Sequence, residues 1–160
     1  MNLTMLFITL FAILRIGAGD IQSGKEKSLI CAACHADDGN SVVGLWPSRA
    51  GQNQKYLLKQ LKLIQSEERY IAEMKGQLDG YTDQDLQDIA ASYAANKNKI
   101  VQASADLVDQ GFKLYYSGSL EKGIPACTAC HSPKGTGNDL AGYPLLSGQQ
   151  TEYIAQTLKD

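Results

Sequence analysis

The pentapeptide C-x-x-C-H occurs twice, as Cys31-Ala32-Ala33-Cys34-His35 and as Cys127-Thr128-Ala129-Cys130-His131. The two copies use all four cysteines and both histidines of the chain. Two thiols three positions apart on a helical turn can each add across one vinyl group of a haem. The histidine that follows then swings beneath the ring to ligate iron. A chain built this way has to form a small core around a rigid planar group, and to do so twice.

Other uses of paired cysteines fit less well. Zinc ribbons separate their pairs by about 15 to 20 residues and do not need a histidine directly after each pair. A thioredoxin-like dithiol calls for a βαβ context that the sequence does not offer.

Ahead of the first motif, Leu6 to Leu14 is an apolar run too short to span a bilayer, and Ile16-Gly17-Ala18-Gly19 supplies small residues for cleavage. Residues 1–19 therefore read as a signal peptide. The pattern is atypical because no lysine or arginine precedes the run and Arg15 follows it, which leaves an uncleaved anchor as the alternative.

The remaining length, roughly 140 residues, suits two small units. Residues 20–96 carry 8 lysines and arginines against 11 acids, a net of −3, and residues 97–160 carry 6 of each. A balance of this kind excludes the basic field that nucleic-acid binding needs.

Aligning the halves on their motifs brings further residues into register. Gly39-Asn40 is set against Gly137-Asn138, Pro47 against Pro144, Gly51-Gln52 against Gly148-Gln149, and Tyr56-Leu57 against Tyr153-Ile154. From the prolines onward the offset is a constant 97. The chain is a duplicated fold with one extra residue in the second loop.

A helix is expected before each motif, over Gly24 to Ala33 and Gly111 to Ser117, each starting at a glycine where another helix could cross closely. Leu29, Ile30, Leu114 and Tyr115 are the expected inward residues. Gln52 to Gln65 places Tyr56, Leu57, Leu61 and Ile64 at helical spacing. Thr82 caps a helix through Ala95 that buries Leu86, Ile89, Ala90 and Tyr93. Asn96-Lys97-Asn98-Lys99 is a polar break and the expected linker.

These pieces, together with Met74 ahead of the Thr82 helix and the run Gly123-Ile124-Pro125-Ala126-Cys127 through Gly137-Asn138 to Gly142-Tyr143-Pro144, resemble the two-haem class I cytochromes c of the cytochrome c4 type. The resemblance implies an all-α fold, a tandem pair of class I cytochrome c domains (20–96 and 97–160), the second incomplete at its C-terminus. It implies two covalently attached haem c groups, with Cys31, Cys34, Cys127 and Cys130 as thioether anchors and His35 and His131 as proximal iron ligands. Pro47 and Pro144 would accept the histidine Nδ1 protons, a bond that fixes the ring tautomer. Met74 is the implied distal ligand of the first haem. The matching position in the second half falls near 171, past Asp160, so no distal ligand is found there. Lys159 is set aside because its counterpart Lys62 lies on a solvated helix face.

The implied function is electron transfer in the periplasm, to a terminal oxidase or similar respiratory acceptor. An alternative is the electron-accepting subunit of a flavoenzyme complex such as a sulfide-oxidising flavocytochrome. A two-haem peroxidase fits less well, since peroxide chemistry wants an open iron with a distal acid or base, and both histidines are already committed. The chain is thus expected not to be an enzyme. Its expected partners are redox proteins, a respiratory donor and an oxidase or flavoprotein, with peripheral membrane association left open.

Overall fold

The strongest helical signal in the sequence organises the first half. In the computed structural model, which describes residues 19–101 and 103–160, Asp83–Ala95 is a helix. Thr82 caps it by accepting from the Asp85 amide, and the Asp85 side chain accepts from the Thr82 amide in return. Leu86, Ile89, Ala90 and Tyr93 all turn inward as their spacing predicts, with Leu86 wholly inaccessible at 0% exposure. Each large side chain buried in this way contributes about 1.5–3 kcal/mol.

Seven α-helices follow in chain order among the described residues: α1 (Ile21–Lys27), α2 (Ala32–His35), α3 (Gln54–Gln65), α4 (Asp83–Ala95), α5 (Val108–Ser117), α6 (Thr128–His131) and α7 (Thr151–Thr157). No strand occurs among these residues, only isolated bridges at Ser119–Ile124 and Asn138–Tyr143. No helix there is long and apolar enough to cross a membrane. The signal-peptide expectation falls on residues outside those described, apart from Gly19.

Helix α4 packs against α1 and α3. Gly24 of α1 lies directly on the Asp88–Ile89 backbone of α4, with no room for a Cβ, as its place in the sequence suggested. The crossing is fixed by polar groups as well. Asp88, buried in the contact, accepts from Lys27 Nζ at 2.8 Å, from the Asp20 amide at 2.8 Å and from Gln84 at 2.8 Å. Tyr81 donates its hydroxyl to the Lys27 carbonyl at 2.9 Å. Leu57, Leu61 and Ile64 of α3 complete the core with Leu78.

Several boundaries and placements differ from expectation. The helix predicted from Gly24 to Ala33 is three pieces: α1 ends at Lys27, Leu29–Cys31 forms a 3₁₀ turn, and α2 begins at Ala32. Tightening from 3.6 to about 3 residues per turn rotates the side chains out of phase. Leu29 and Ile30 consequently point outward, 71% and 60% exposed. In the second half the helix starts at Val108, ahead of Gly111. Nothing among the described residues crosses Gly111, so Leu114 is exposed and Tyr115 only half-buried.

The loop alignment also shifts. Arg49 and Ala50 donate to the Gly39 carbonyl, and Leu146 and Ser147, 97 positions on, donate to the carbonyl of Gly135. Gly39 therefore matches Gly135 rather than Gly137. The extra residue enters after that glycine.

The polar stretch 96–99 lies pinned between the halves rather than hanging as a tether. Asn40 donates to the Lys97 carbonyl and accepts from the Lys99 amide, and Asn98 donates to the Ser147 carbonyl at 2.7 Å. Gly51 and Gly148, both in the left-handed region at φ +65° and +72°, face this strip, Gly51 against Asn98 and Gly148 against Asn98 and the Lys99 carbonyl.

Candidate haem sites

In each motif the first cysteine stands at the N-cap of a one-turn helix, α2 or α6, which carries the second cysteine three positions on and ends at the histidine, so the two cysteines share a face. No disulfide joins the four cysteines, which stand as two separate pairs. No three His, Cys, Asp or Glu side chains converge on a common point among the described residues, which argues against a shared four-thiolate metal site.

The two histidines are held alike. His35 Nδ1 lies 3.0 Å from the Pro47 carbonyl and His131 Nδ1 lies 2.9 Å from the Pro144 carbonyl. A carbonyl only accepts, so Nδ1 carries the proton in both rings, and the Nε2 lone pair is left for a metal. Burial is the main influence on His35 and lowers its pKa to about 4; the neighbouring Arg49 charge adds to this and the Pro47 bond opposes it. The ring is neutral at ordinary pH, the form that ligates. Burial pushes the Cys31 thiol up.

Cys31 and Met74 both pack against the core cluster of Leu57, Leu61, Ile64, Leu78, Leu86, Ile89, Ala90 and Tyr93. Met74 closes a 3₁₀ turn, Ala72–Met74, that hangs over this apolar cluster between α3 and α4. Cys31 and Met74, from two separated stretches, thus meet one apolar wall.

Arg49 was not singled out in the sequence. It is buried, its guanidinium lies 3.4 Å from His35 Nε2, and it forms no ion pair with a carboxylate among the described residues. Burial lowers its pKa. A haem would present both iron for the Nε2 lone pair and propionate carboxylates for the guanidinium, so the donor set fits the group. The matching residue of the second half is Leu146, which makes the two sites electrostatically unequal.

No family model matches the chain. It is 46% identical over 152 residues to cytochrome c4 of Stutzerimonas stutzeri, spanning 89% of this chain and 72% of that protein. The chain belongs to the cytochrome c4 family. The crystal structure of reduced recombinant cytochrome c4 from Pseudomonas stutzeri superposes with a TM-score of 0.87 at 46% identity, covering 89% of this chain and 80% of that one. A more distant relative, the thiosulfate dehydrogenase electron acceptor of Thiomonas intermedia, is 30% identical over 86% of this chain and 64% of its own length.

As a cytochrome c4-type protein the chain is an all-α tandem of cytochrome c domains that binds two haem c groups covalently. It carries electrons and is not an enzyme.

The sequence missed the polar contacts that join the halves. Gln52 and Gln149, Asn53 and Gln150, and the N-termini of α3 and α7 all bond across the divide. Recurrence of Gly-Gln at matching positions was the available signal, because a buried amide repeated in both copies needs a partner in each.

Proposed function

We propose that this chain is a periplasmic electron carrier that delivers electrons to a terminal oxidase or similar respiratory acceptor, with domains at 20–96 and 97–160. Cys31, Cys34, Cys127 and Cys130 anchor the two haems by thioether bonds, and His35 and His131 are the proximal ligands. Pro47 and Pro144 orient those rings, and Met74 is the distal ligand of the first iron. Export by the N-terminal segment 1–19 places the chain where such attachment and delivery occur.

When bound, each haem supplies a one-electron ferric/ferrous couple. The chain's own residues decide how that couple behaves. A neutral imidazole fixed at Nδ1 by a proline carbonyl is a strong, immobile donor, so little reorganisation accompanies each electron. The Met74 thioether, as a ligand of the first iron, would favour the ferrous state and so raise that haem's potential. His35 and Met74 would together hold the first iron and leave it no open site for substrate, which favours transfer over catalysis there.

The single observation that carries this reading is the matched pair of histidines, each Nδ1 held by a proline carbonyl directly beside its C-x-x-C turn. A second reading, an electron-accepting partner of a dehydrogenase, draws support from the thiosulfate dehydrogenase electron acceptor among the relatives.

Stopped-flow mixing of the reduced, haem-loaded protein with respiratory membranes separates the two. Rapid reoxidation that an oxidase inhibitor abolishes supports delivery to the oxidase. Failure to reoxidise, with tight co-purification of a dehydrogenase or flavoprotein, would overturn it in favour of the second.

A further inference from the structure

We infer that Gln52 and Gln149 are positioning residues acting crosswise, each tuning the proximal histidine of the opposite half through a shared peptide group. The inference rests on the haem ligation proposed above and concerns which residues set each potential.

The peptide joining Pro47 and Ser48 is bonded at both ends. Its carbonyl accepts the His35 Nδ1 proton at 3.0 Å, and its N–H donates to Gln149 Oε1 at 2.8 Å. The same glutamine donates through Nε2 to the Ser48 carbonyl at 2.9 Å, so its amide is clamped on two sides. The second half repeats the arrangement with the roles exchanged. The Pro144 carbonyl accepts from His131 at 2.9 Å, the Leu145 N–H donates to Gln52 Oε1 at 2.7 Å, and Gln52 Nε2 donates to the Leu145 carbonyl at 2.9 Å. Both glutamines are buried, at 4% and 7% exposure, so water does not compete for these bonds.

A peptide whose N–H is engaged by a buried acceptor has a more negative carbonyl, because hydrogen bonds in series polarise one another. A better Nδ1 acceptor makes the imidazole a stronger donor to iron, which stabilises the ferric state and lowers the potential. Gln149, from the second half, thereby holds down the potential of the first haem. Gln52, from the first half, does the same for the second. Neither contacts a histidine directly, so their influence runs through the peptide alone.

The test uses the full-length haem-loaded protein with Gln149→Met and Gln52→Met, which keep volume and remove both polar atoms. The readouts are the Nδ1 proton resonances of His35 and His131 in the reduced state and the midpoint of each haem. In Q149M the His35 proton moves upfield and the first midpoint moves positive, while His131 and the second midpoint stay in place. Q52M gives the converse.

Glutamate at 149 keeps the acceptor oxygen for the Ser48 amide. Q149E therefore leaves the His35 proton at or downfield of its wild-type position and moves the first midpoint negative by more than the second. A strut that merely joined the halves would be damaged by glutamate and methionine alike. Equal shifts at both haems, a shift confined to the glutamine's own half, or unmoved histidine protons would overturn the inference, and the glutamate variants carry the same test if the methionine variants fail to mature. Wild-type protein without haem would instead overturn the ligation proposal on which it rests.

Discussion

At residue scale the proposed first site gathers groups of opposite temperament, a neutral buried imidazole, a soft thioether and a guanidinium with no carboxylate beside it among the described residues. On the proposed ligation Met74→Leu takes away the distal donor, so one haem is expected to become high-spin and its midpoint to fall, seen by absorption spectroscopy and redox titration. Arg49→Leu copies the residue at 146 and removes a buried positive charge that disfavours ferric iron. The expected outcome is a fall in the first midpoint toward the second, and no change would show that the guanidinium does not face the first haem. The residue after each histidine is strained in the same way. Ala36 lies at φ 62°, ψ 160° and Ser132 at φ 67°, ψ 161°, a region that only glycine visits freely. Ala36→Gly should stabilise the protein by about 1 kcal/mol in thermal or denaturant unfolding, the relieved strain outweighing the entropy of the added glycine. His35, His131 and the cysteines were legible in the sequence because their chemistry is carried by spacing. Arg49 was not, since a charged residue reads by default as solvated and only the fold reveals its burial.

At the scale of elements, α4 was readable almost residue for residue, because its cap and its apolar face are both written locally. The segment before the first motif was not, because a 3₁₀ turn at Leu29–Cys31 changes the period within a few residues and sends Leu29 and Ile30 outward. The α1–α4 contact predicts an acid-sensitive step. Burial works against ionisation of Asp88, but the Lys27 bond and those from the Asp20 amide, Gln84 and Ser23 outweigh it and hold the carboxyl well below the usual range. The Lys27 bond is the main cause that lowers Asp85, to about 2. With both folded-state values depressed, the unfolded chain takes up protons first as pH falls. Their stabilisation is intact above roughly pH 4 and is lost progressively as pH falls from there through about 2. Asp88→Asn should lower stability at neutral pH and flatten this acid limb, measured as unfolding free energy against pH. An unchanged acid limb would show that the α1–α4 contact is not the titrating step.

At the scale of the whole molecule, the halves are related by an approximate two-fold arrangement in which each completes the other. The α3 N-terminus is met by Asp139, whose carboxylate accepts from the Lys55 amide at 3.2 Å, and the α7 N-terminus by the Gly44 carbonyl, which accepts from the Tyr153 amide at 3.0 Å. Amides left unpaired by helix geometry are thus satisfied from the opposite half. Arg69 adds a bond to the Tyr153 hydroxyl at 3.1 Å. The duplication was visible in the sequence as a constant offset. Its consequence, an interface of paired amides, was not, because an offset records kinship between halves and says nothing of how they face one another. These bonds tie the two C-x-x-C-H turns together across the divide, the arrangement an electron relay needs.

The claim beneath all of this is that each C-x-x-C-H turn carries a covalently held haem whose iron changes valence reversibly. A spectroelectrochemical titration of the matured protein, counted against chain concentration, tests it most directly. Two electrons taken up and returned per chain, with haem colour surviving denaturation, is the predicted result. A colourless chain with four titratable thiols, or one that takes up a single electron, would contradict it.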